Sequence, residues 1–367
     1  VSAPAAISGP AVGRPVLVTG GAGFVGANLA DALAAEGHTV ILYDALVRPG
    51  VEANLAWLQA RHGPRIVPVI ADIRDAAALA QAMAEAQAVF HFAAQVAVTT
   101  SLADPRADME VNVLGTLNLL EALRARVGGP VPLLFASTNK VYGNLPDLAL
   151  RLEGDAYLPE DAGLRARGVS EDRPLVFHTP YGCSKGAADQ YVLDYARSYG
   201  LRTCVMRMSC IYGPRQMGNE DQGWVAHFLI RALRGQPITL YGDGCQVRDI
   251  LHVADAVTAY RAAWAQIDAI AGRAFNLGGG PANAVSLRGL IAHLGALTGR
   301  PVEVLAGDWR PGDQRYYVSD ARRVGEALDL PPARPWREGV ASLAAWLRAS
   351  LAQPEQVHAP SRIEEPA

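Results

Sequence analysis

Cysteine is scarce in this 367-residue chain. Cys183, Cys204, Cys210 and Cys245 form neither a CxxC pair nor a zinc-type spacing. That pattern excludes a disulfide framework and points to reduced thiols in a cytoplasmic protein. The eight histidines contain no HxH or HExxH arrangement, so no metal site is expected. An excess of one charge is missing too: 33 Lys and Arg face 36 Asp and Glu, a net charge of -3. Without a basic field, binding to a nucleic acid is not expected. No apolar run reaches the ~18 to 20 residues that span a bilayer, which excludes a membrane partner. What is present is a chain half hydrophobic, 19% charged, with a mean hydropathy of +0.10. It has enough apolar side chains to offset the entropy of ordering, and at roughly 100 to 200 residues per domain it has room for two lobes. Glycine is plentiful, at 36 residues.

The ends, 1–14 and 351–367, are small, Pro-punctuated and aperiodic, and read as a flexible leader and tail. Between them, short β-branched runs alternate with helical segments. PVLVTG (15–20), TVILYD (39–44), RIVPVIAD, AVFHFAA and PLLFAST read as strands. Helices are expected at 27–36, 76–85 and 111–125. Strand and helix in alternation imply parallel βαβ units with right-handed crossovers, and hence an α/β doubly wound parallel sheet. After Arg207 the pattern loosens into short strands, turns, and helices at 224–234, 286–298 and 340–350. A smaller second lobe set against the carboxyl ends of the strands fits that change, and ligands bind there in open α/β sheets.

Thr19-Gly20-Gly21-Ala22-Gly23-Phe24-Val25-Gly26 follows the first strand and opens a helix. Gly20 permits the tight turn, Gly23 lets backbone approach a pyrophosphate, and Gly26 lets helix and sheet pack closely. The helix N-terminus at Phe24 and Val25 then faces an anion. Asp44, 18 residues beyond Gly26, ends the next strand where a carboxylate accepts both ribose hydroxyls of an adenosine. A 2′-phosphate would meet that negative charge, so NAD is expected over NADP, with the cation of Arg48 nearby. Further on, Tyr181 and Lys185 are four residues apart in a stretch of helical pattern, which puts them on one face. A phenol with a pKa near 10 is a poor base, and a neighbouring ammonium is expected to lower it. Ser137 and Thr138 end a strand between these two motifs.

TGGAGFVG, the ST of STNKVYG, and YGCSK together resemble the extended short-chain dehydrogenase/reductase family of nucleotide-sugar epimerases and dehydratases. The resemblance runs from about Pro15 to Leu347. It implies a Rossmann-like NAD-binding domain, 15–206 with 253–282, and a smaller C-terminal α/β nucleotide-sugar domain, 207–252 with 283–350. By position it makes Thr138, Tyr181 and Lys185 the catalytic triad. It puts Asp72 and Ile73 against adenine, Ala93, Ala94 and Gln95 in the wall beside the dinucleotide, and Asn112 in support of that wall. Arg248 and Arg310 match arginines that bind the diphosphate, a role that suits a guanidinium fork. Gln246, in GCQVRDILH, falls in the same substrate-binding set. Helices at 111–125 and 180–199 match those of a four-helix contact, so a homodimer or homotetramer is expected.

Dehydratases of this family carry an acidic pair after the catalytic Thr, and this chain has Asn139 and Lys140 there. Elimination of water loses its general acid, leaving Asn139 as a hydrogen-bond donor to sugar or nicotinamide. QVAVTTS, STNKVYG, DQGWV and GCQVRDILH bring the chain close to 2-epimerases of CDP-linked deoxyhexoses. The stretch 144–178 resembles an insertion expected beside the substrate mouth. Cys210 departs from that pattern, since relatives have Asn or Ser there. The expected activity is epimerisation of a nucleotide-sugar at C2, on a CDP-linked deoxyhexose. A UDP-sugar 4-epimerase with the same triad is the alternative, and a non-catalytic NAD-binding sensor or scaffold a second one.

Overall fold

The structure, a computed structural model, describes residues 14–351. The expected leader up to residue 13 and the expected tail from residue 352 lie outside the described residues. Seven parallel strands form the central sheet in the order Arg273–Leu277, Thr203–Met208, Leu133–Thr138, Val89–His91, Pro15–Thr19, Thr39–Asp44 and Ile66–Ile70. The strand period of two decides which residues meet which layer of helices. Val16 and Val18 pack with Leu29 and Leu33 of the helix Phe24–Ala35 and with Tyr260 and Trp264 of the helix Val253–Ala265. Leu17, between them, packs on the other face with Leu119 and Leu123 of Gly115–Ala125 and Val192 of Thr179–Tyr199. Both faces of the inner strands are covered, and Leu133–Thr138 is buried at all six positions, whereas the edge strand Ile66–Ile70 is largely exposed.

A smaller assembly stands at the carboxyl ends of these strands. Its strand Val247–His252 pairs antiparallel with Ala284–Ser286 and parallel with Tyr316–Tyr317 and Cys210–Tyr212. The helices Trp224–Arg234, Leu287–Thr298 and Trp336–Leu351 close over a separate core around Leu229, Leu290, Val340 and Leu343. No helix among the described residues is long and apolar enough to cross a membrane. None of their His, Cys, Asp or Glu residues gather in a group of three able to hold a metal.

Several elements differ from the expectation. The first helix starts at Phe24 rather than at residue 27, because Gly23 is its N-cap and the glycine motif supplies its first turn. The expected strand AVFHFAA is paired only at Val89–His91, since from Phe92 the chain leaves the sheet to run along a cavity. The helix expected at 111–125 begins as a π-turn, Glu110–Leu114, before Gly115–Ala125, and that extra residue per turn turns Asn112 inward. The last helix begins at Trp336, four residues early, where Trp336 and Val340 join the second core. Helices Val51–His62 and Val253–Ala265 are additions to the reading. The stretch 144–178 folds as a hairpin, Leu150–Glu153 with Ala156–Pro159, and a helix, Ala162–Arg167. It packs through Val169 and Leu145 against Tyr317, does not itself line the cavity, and brings its ends, Asn144 and His178, beside the cavity-lining Gly312.

The helix Thr179–Tyr199 is tied to the sheet by a buried ion pair. Arg207 donates from Nε and Nη2 to the two oxygens of Asp189, both at 2.9 Å, and Ser137 donates to Asp189 at 2.7 Å. Removing one partner strands a buried charge. Asp189→Asn is expected to destabilise the fold by about 3–5 kcal/mol, read as a lower urea midpoint. A wild-type midpoint would mean that the pair carries no structural weight.

Candidate active site

The loop after the first strand is shaped by backbone contact. Gly20 has φ +66°, and a Cβ there would lie 2.6 Å from the Ala93 nitrogen. A Cβ on Gly26 would run into the Gly20 carbonyl oxygen. The helix Phe24–Ala35 has no side-chain cap, so its first N–H groups, at Phe24, Val25 and Gly26, remain open toward the cavity they line. Asp44 accepts from the Ala22 N–H at 3.0 Å with one oxygen and from the Leu46 N–H at 2.9 Å with the other. Both oxygens keep further lone pairs for hydroxyl donors. Arg48 lines the same end, where burial lowers its pKa against the opposing pull of Asp44. Asp72 and Ile73 follow along the wall. The Asp72 carboxylate is bound bidentately by Arg74, at 2.7 and 2.9 Å, which pushes its pKa down and leaves Ile73 as the apolar contact.

The cavity, about 610 Å³, runs from this loop past Ala93 and Ala94 to Thr138, Asn139, Tyr181 and Lys185, and on to Cys210, Gln246, Arg248 and Arg310. A strand end supplies Thr138, and one turn of the helix Thr179–Tyr199 supplies Tyr181 and Lys185. The Tyr181 N–H donates to Ser101 Oγ at 3.2 Å, and the Lys185 ammonium donates to the Ala136 carbonyl at 2.7 Å. Its nitrogen also lies 4.2 Å from the centre of the Phe135 ring.

Electrostatics here runs against the expectation that Lys185 would make Tyr181 a phenolate. Burial pushes Tyr181 up to about 12, with a hydrogen bond from Thr138 favouring the anion and the charge of Asp108 opposing it. Burial likewise pulls Lys185 down to about 7, although Asp189 and Asp108 favour its charge. Both groups are buried, and for each the loss of hydration outweighs the neighbours that favour its charged form. The chain alone holds a neutral phenol.

At the far end Arg248 is buried and partly committed. It donates to the Val247 carbonyl at 2.8 Å and to Asp313 at 2.6 Å. Gln246 donates to the Tyr241 carbonyl at 2.7 Å, and its own Oε1 is buried without a partner. Arg310 stacks 3.8 Å from the Tyr241 ring centre and donates to the Glu220 carbonyl at 2.9 Å. Cys210 is a half-buried thiol on the cavity wall, and desolvation raises its pKa.

The chain matches the NAD dependent epimerase/dehydratase family over residues 16–278. It belongs to that family. It is 40% identical over 338 residues to CDP-paratose 2-epimerase of Salmonella typhi, covering 90% of this chain and 98% of that protein. Two solved structures are similar as well. UDP-glucose 4-epimerase of Thermus thermophilus in complex with NAD has a TM-score of 0.76 and 32% identity, covering 92% of this chain and 99% of that one. UDP-glucose 4-epimerase of Thermotoga maritima with UDP-glucose has a TM-score of 0.78 and 30% identity, with the same coverage. The family's cofactor is NAD, and the chain is an NAD-dependent enzyme of the extended short-chain dehydrogenase/reductase type. The open helix N-terminus, a cradle that a Cβ would fill, and Asp44 fit that cofactor in order: pyrophosphate, close backbone, ribose hydroxyls.

Within this family site, Gln95, expected in the wall, stands behind it, and Asn112, expected in its support, holds the Gln95 backbone without reaching the cavity. Asn112 accepts from the Gln95 N–H at 2.9 Å and donates to the Gln95 carbonyl at 3.0 Å and to Ser184 Oγ at 2.9 Å. The Gln95 side chain turns to the Ala97 carbonyl and to Asp108, at 2.8 and 3.1 Å. With their polar groups spent on the backbone, neither lines the cavity. Two residues absent from the sequence reading belong here. Asp108 is buried beside Lys185 with one oxygen unpartnered, and Arg215 lines the cavity while its guanidinium lies 3.8 Å from the Trp57 ring centre. Asp108 sits in the short helix Pro105–Met109 and Arg215 in a long-range stack, and neither has a local signature that could have flagged it.

Gly26→Ala is expected to displace the loop and weaken NAD binding at least tenfold, measured from the NAD retained by the purified protein. Wild-type NAD content in that variant would remove the glycine cradle from the site.

Proposed function

We propose that the protein inverts C2 of a CDP-linked deoxyhexose, the reaction for which its Salmonella typhi relative is named. The observation that carries this reading is the composition of the cavity around Thr138, together with the 40% identity along nearly the whole chain. Thr138, Tyr181 and Lys185 line the same cavity as the glycine loop and the two arginines. The two residues after Thr138 are Asn139 and Lys140. Asp313, the carboxylate facing Lys140, is engaged by Arg248 and Gln246. Among the described residues no unengaged carboxylate lines the cavity at the two positions after Thr138, which supports oxidation and return without elimination.

Arg248 and Arg310 hold the substrate diphosphate, and Gln246 accepts a hydrogen bond with its free oxygen. The sugar then reaches Thr138 and Tyr181. When bound, NAD supplies the hydride acceptor and a cationic ring that favours the Tyr181 phenolate. Tyr181 takes the proton of the C2 hydroxyl, Thr138 hydrogen-bonds the same oxygen, and Lys185 holds the ribose and the phenolate. Asn139, its side-chain oxygen 3.4 Å from the Thr138 hydroxyl, steadies that hydroxyl and faces the sugar. The keto-sugar turns its other face while the arginines keep the diphosphate in place, and Tyr181 returns the proton. Substrate and product are isomers, so no net oxidant is consumed, and orientation carries most of the work.

The second reading is a UDP-sugar 4-epimerase, supported by the similarity to the two bacterial 4-epimerase structures. It uses the same residues and differs in which carbon faces the nicotinamide. We also propose a homodimer or homotetramer, testable by light scattering. Leu114, Tyr191 and Tyr199 leave an apolar face open on the helical layer that carries them.

CDP- and UDP-sugars offered in deuterated water without added NAD separate the readings. Inversion at C2 of a CDP-sugar with no deuterium at that carbon is expected. Inversion at C4 would select the second reading, and deuterium at the inverted carbon would exclude direct hydride return. Tyr181→Phe is expected to lower kcat by roughly 10²–10⁴-fold with NAD retained. Unchanged turnover would remove Tyr181 from the chemistry.

A further inference from the structure

Beside the triad the cavity carries a cation that this chemistry leaves idle. Lys140 lines the cavity two residues after Thr138. Its ammonium donates to the Gly312 carbonyl at 3.2 Å and to Gln314 Oε1 at 3.4 Å. Gln314 in turn donates to the Gly143 carbonyl at 2.6 Å, closing the loop 310–314 onto the turn 139–143. The Lys140 backbone N–H donates to Thr138 Oγ1 at 3.2 Å, so one residue touches both the loop and the hydroxyl.

The same loop meets the helix that carries Tyr181. Gly312 has φ +75°, and a Cβ there would lie 2.7 Å from Thr179 Cγ2. Thr179 itself has φ +64°, a costly conformation for a β-branched residue, two positions before Tyr181. Its hydroxyl accepts the Gly182 N–H at 3.3 Å, which fixes the first turn of that helix. The loop with Arg310 and Asp313 therefore abuts the Thr138 segment and the Tyr181 segment at Gly312.

We propose that Lys140 is a positioning residue: it holds the 310–314 loop in register with Thr138 and Tyr181, so that seating the anionic end of the substrate aligns the sugar. This rests on reading Arg248 and Arg310 as the diphosphate contacts. The charged and titratable groups facing Lys140 are Arg248 from Val247–His252, Asp313 from the loop and Cys210 from Cys210–Tyr212. Burial first, then Arg248, pulls the ammonium down to about 8, against Asp313 and Cys210. Below that pH the bond to Gly312 is charge-assisted, and above it a neutral amine grips the loop more weakly. The grip on substrate therefore loosens as pH rises through about 8.

The holoenzyme, Lys140→Met and Lys140→Arg are compared by KM and kcat for CDP- and UDP-sugars between pH 6.5 and 9.5. Wild-type KM is expected to climb above pH 8. Lys140→Met is expected to have a KM raised about tenfold already at pH 7, flat with pH, and a smaller loss in kcat. Lys140→Arg is expected to keep the low KM across the range, because a guanidinium stays charged. Lys140→Met with wild-type KM and pH profile overturns the proposal. So does equal damage in both variants with a lowered melting temperature and lost NAD, which marks a purely structural role. Failure of the wild type on every nucleotide-sugar overturns the diphosphate reading together with this one, whereas turnover with an unaffected Lys140→Met overturns this one alone.

Discussion

The buried pair of Arg207 and Asp189 is the constraint on which the rest of the site depends. Arg207 belongs to the strand Thr203–Met208, Asp189 to the helix Thr179–Tyr199, and Ser137, which joins them, to the strand that ends in Thr138. A bidentate contact allows little sliding or rotation. Helix and strand are thus held so that Tyr181 and Lys185 arrive beside Thr138. Neither member of the pair lines the cavity, and Asp189 reaches its wall through Ser137. Its work is registry, an attested use of buried ionic groups.

Desolvation sets the electrostatic character of the cavity. Tyr181 is pushed up and Lys185 and Lys140 are pushed down, each chiefly by burial. All three shifts favour the neutral form, so the protein interior alone leaves the catalytic groups poorly charged. In the proposed reaction, cofactor and substrate would bring the compensating charges, a cationic ring at one end and a diphosphate at the other. Such a site responds to ligands strongly because a small charge movement in a dry cavity has a large effect. The chain's near balance of acidic and basic residues is consistent with that design, since the anion needs a few enclosed cations and no basic surface.

Much of the fold was readable in the residues. The glycine motif, the strands Thr39–Asp44 and Leu133–Thr138 and the helix Trp224–Arg234 carry strong local signals: close-contact glycines, β-branched runs, and 3.6-residue periodicity. The strand after Ala88 was overestimated because Phe92 to Ala94 are as apolar as a strand while serving as cavity wall. Helix Val51–His62 was missed because its mixed composition gives a weak apolar stripe, with Val51, Asn54 and Leu58 buried. In the site, residues matched to family positions fell into one cavity, apart from Gln95 and Asn112. Those two spend their polar groups on backbone, and only the π-turn at Glu110–Leu114 explains why.

By itself, the sequence determined a glycine loop suited to a dinucleotide, a Tyr and a Lys one helical turn apart, and no acid directly after Thr138. These follow from residue type and short spacing, whereas the roles proposed for Thr138, Arg248 and Arg310 rest on the resemblance to the family. Only the tertiary structure decided the protonation tendencies and the mechanical connections. Burial at Tyr181 and Lys185, the hold of Asp313 on Arg248 across 65 residues, and the meeting of Gly312 with Lys140 and Thr179 across more than a hundred all join segments distant in the chain. Desolvation and packing depend on everything that surrounds a group in space, and no local pattern encodes that.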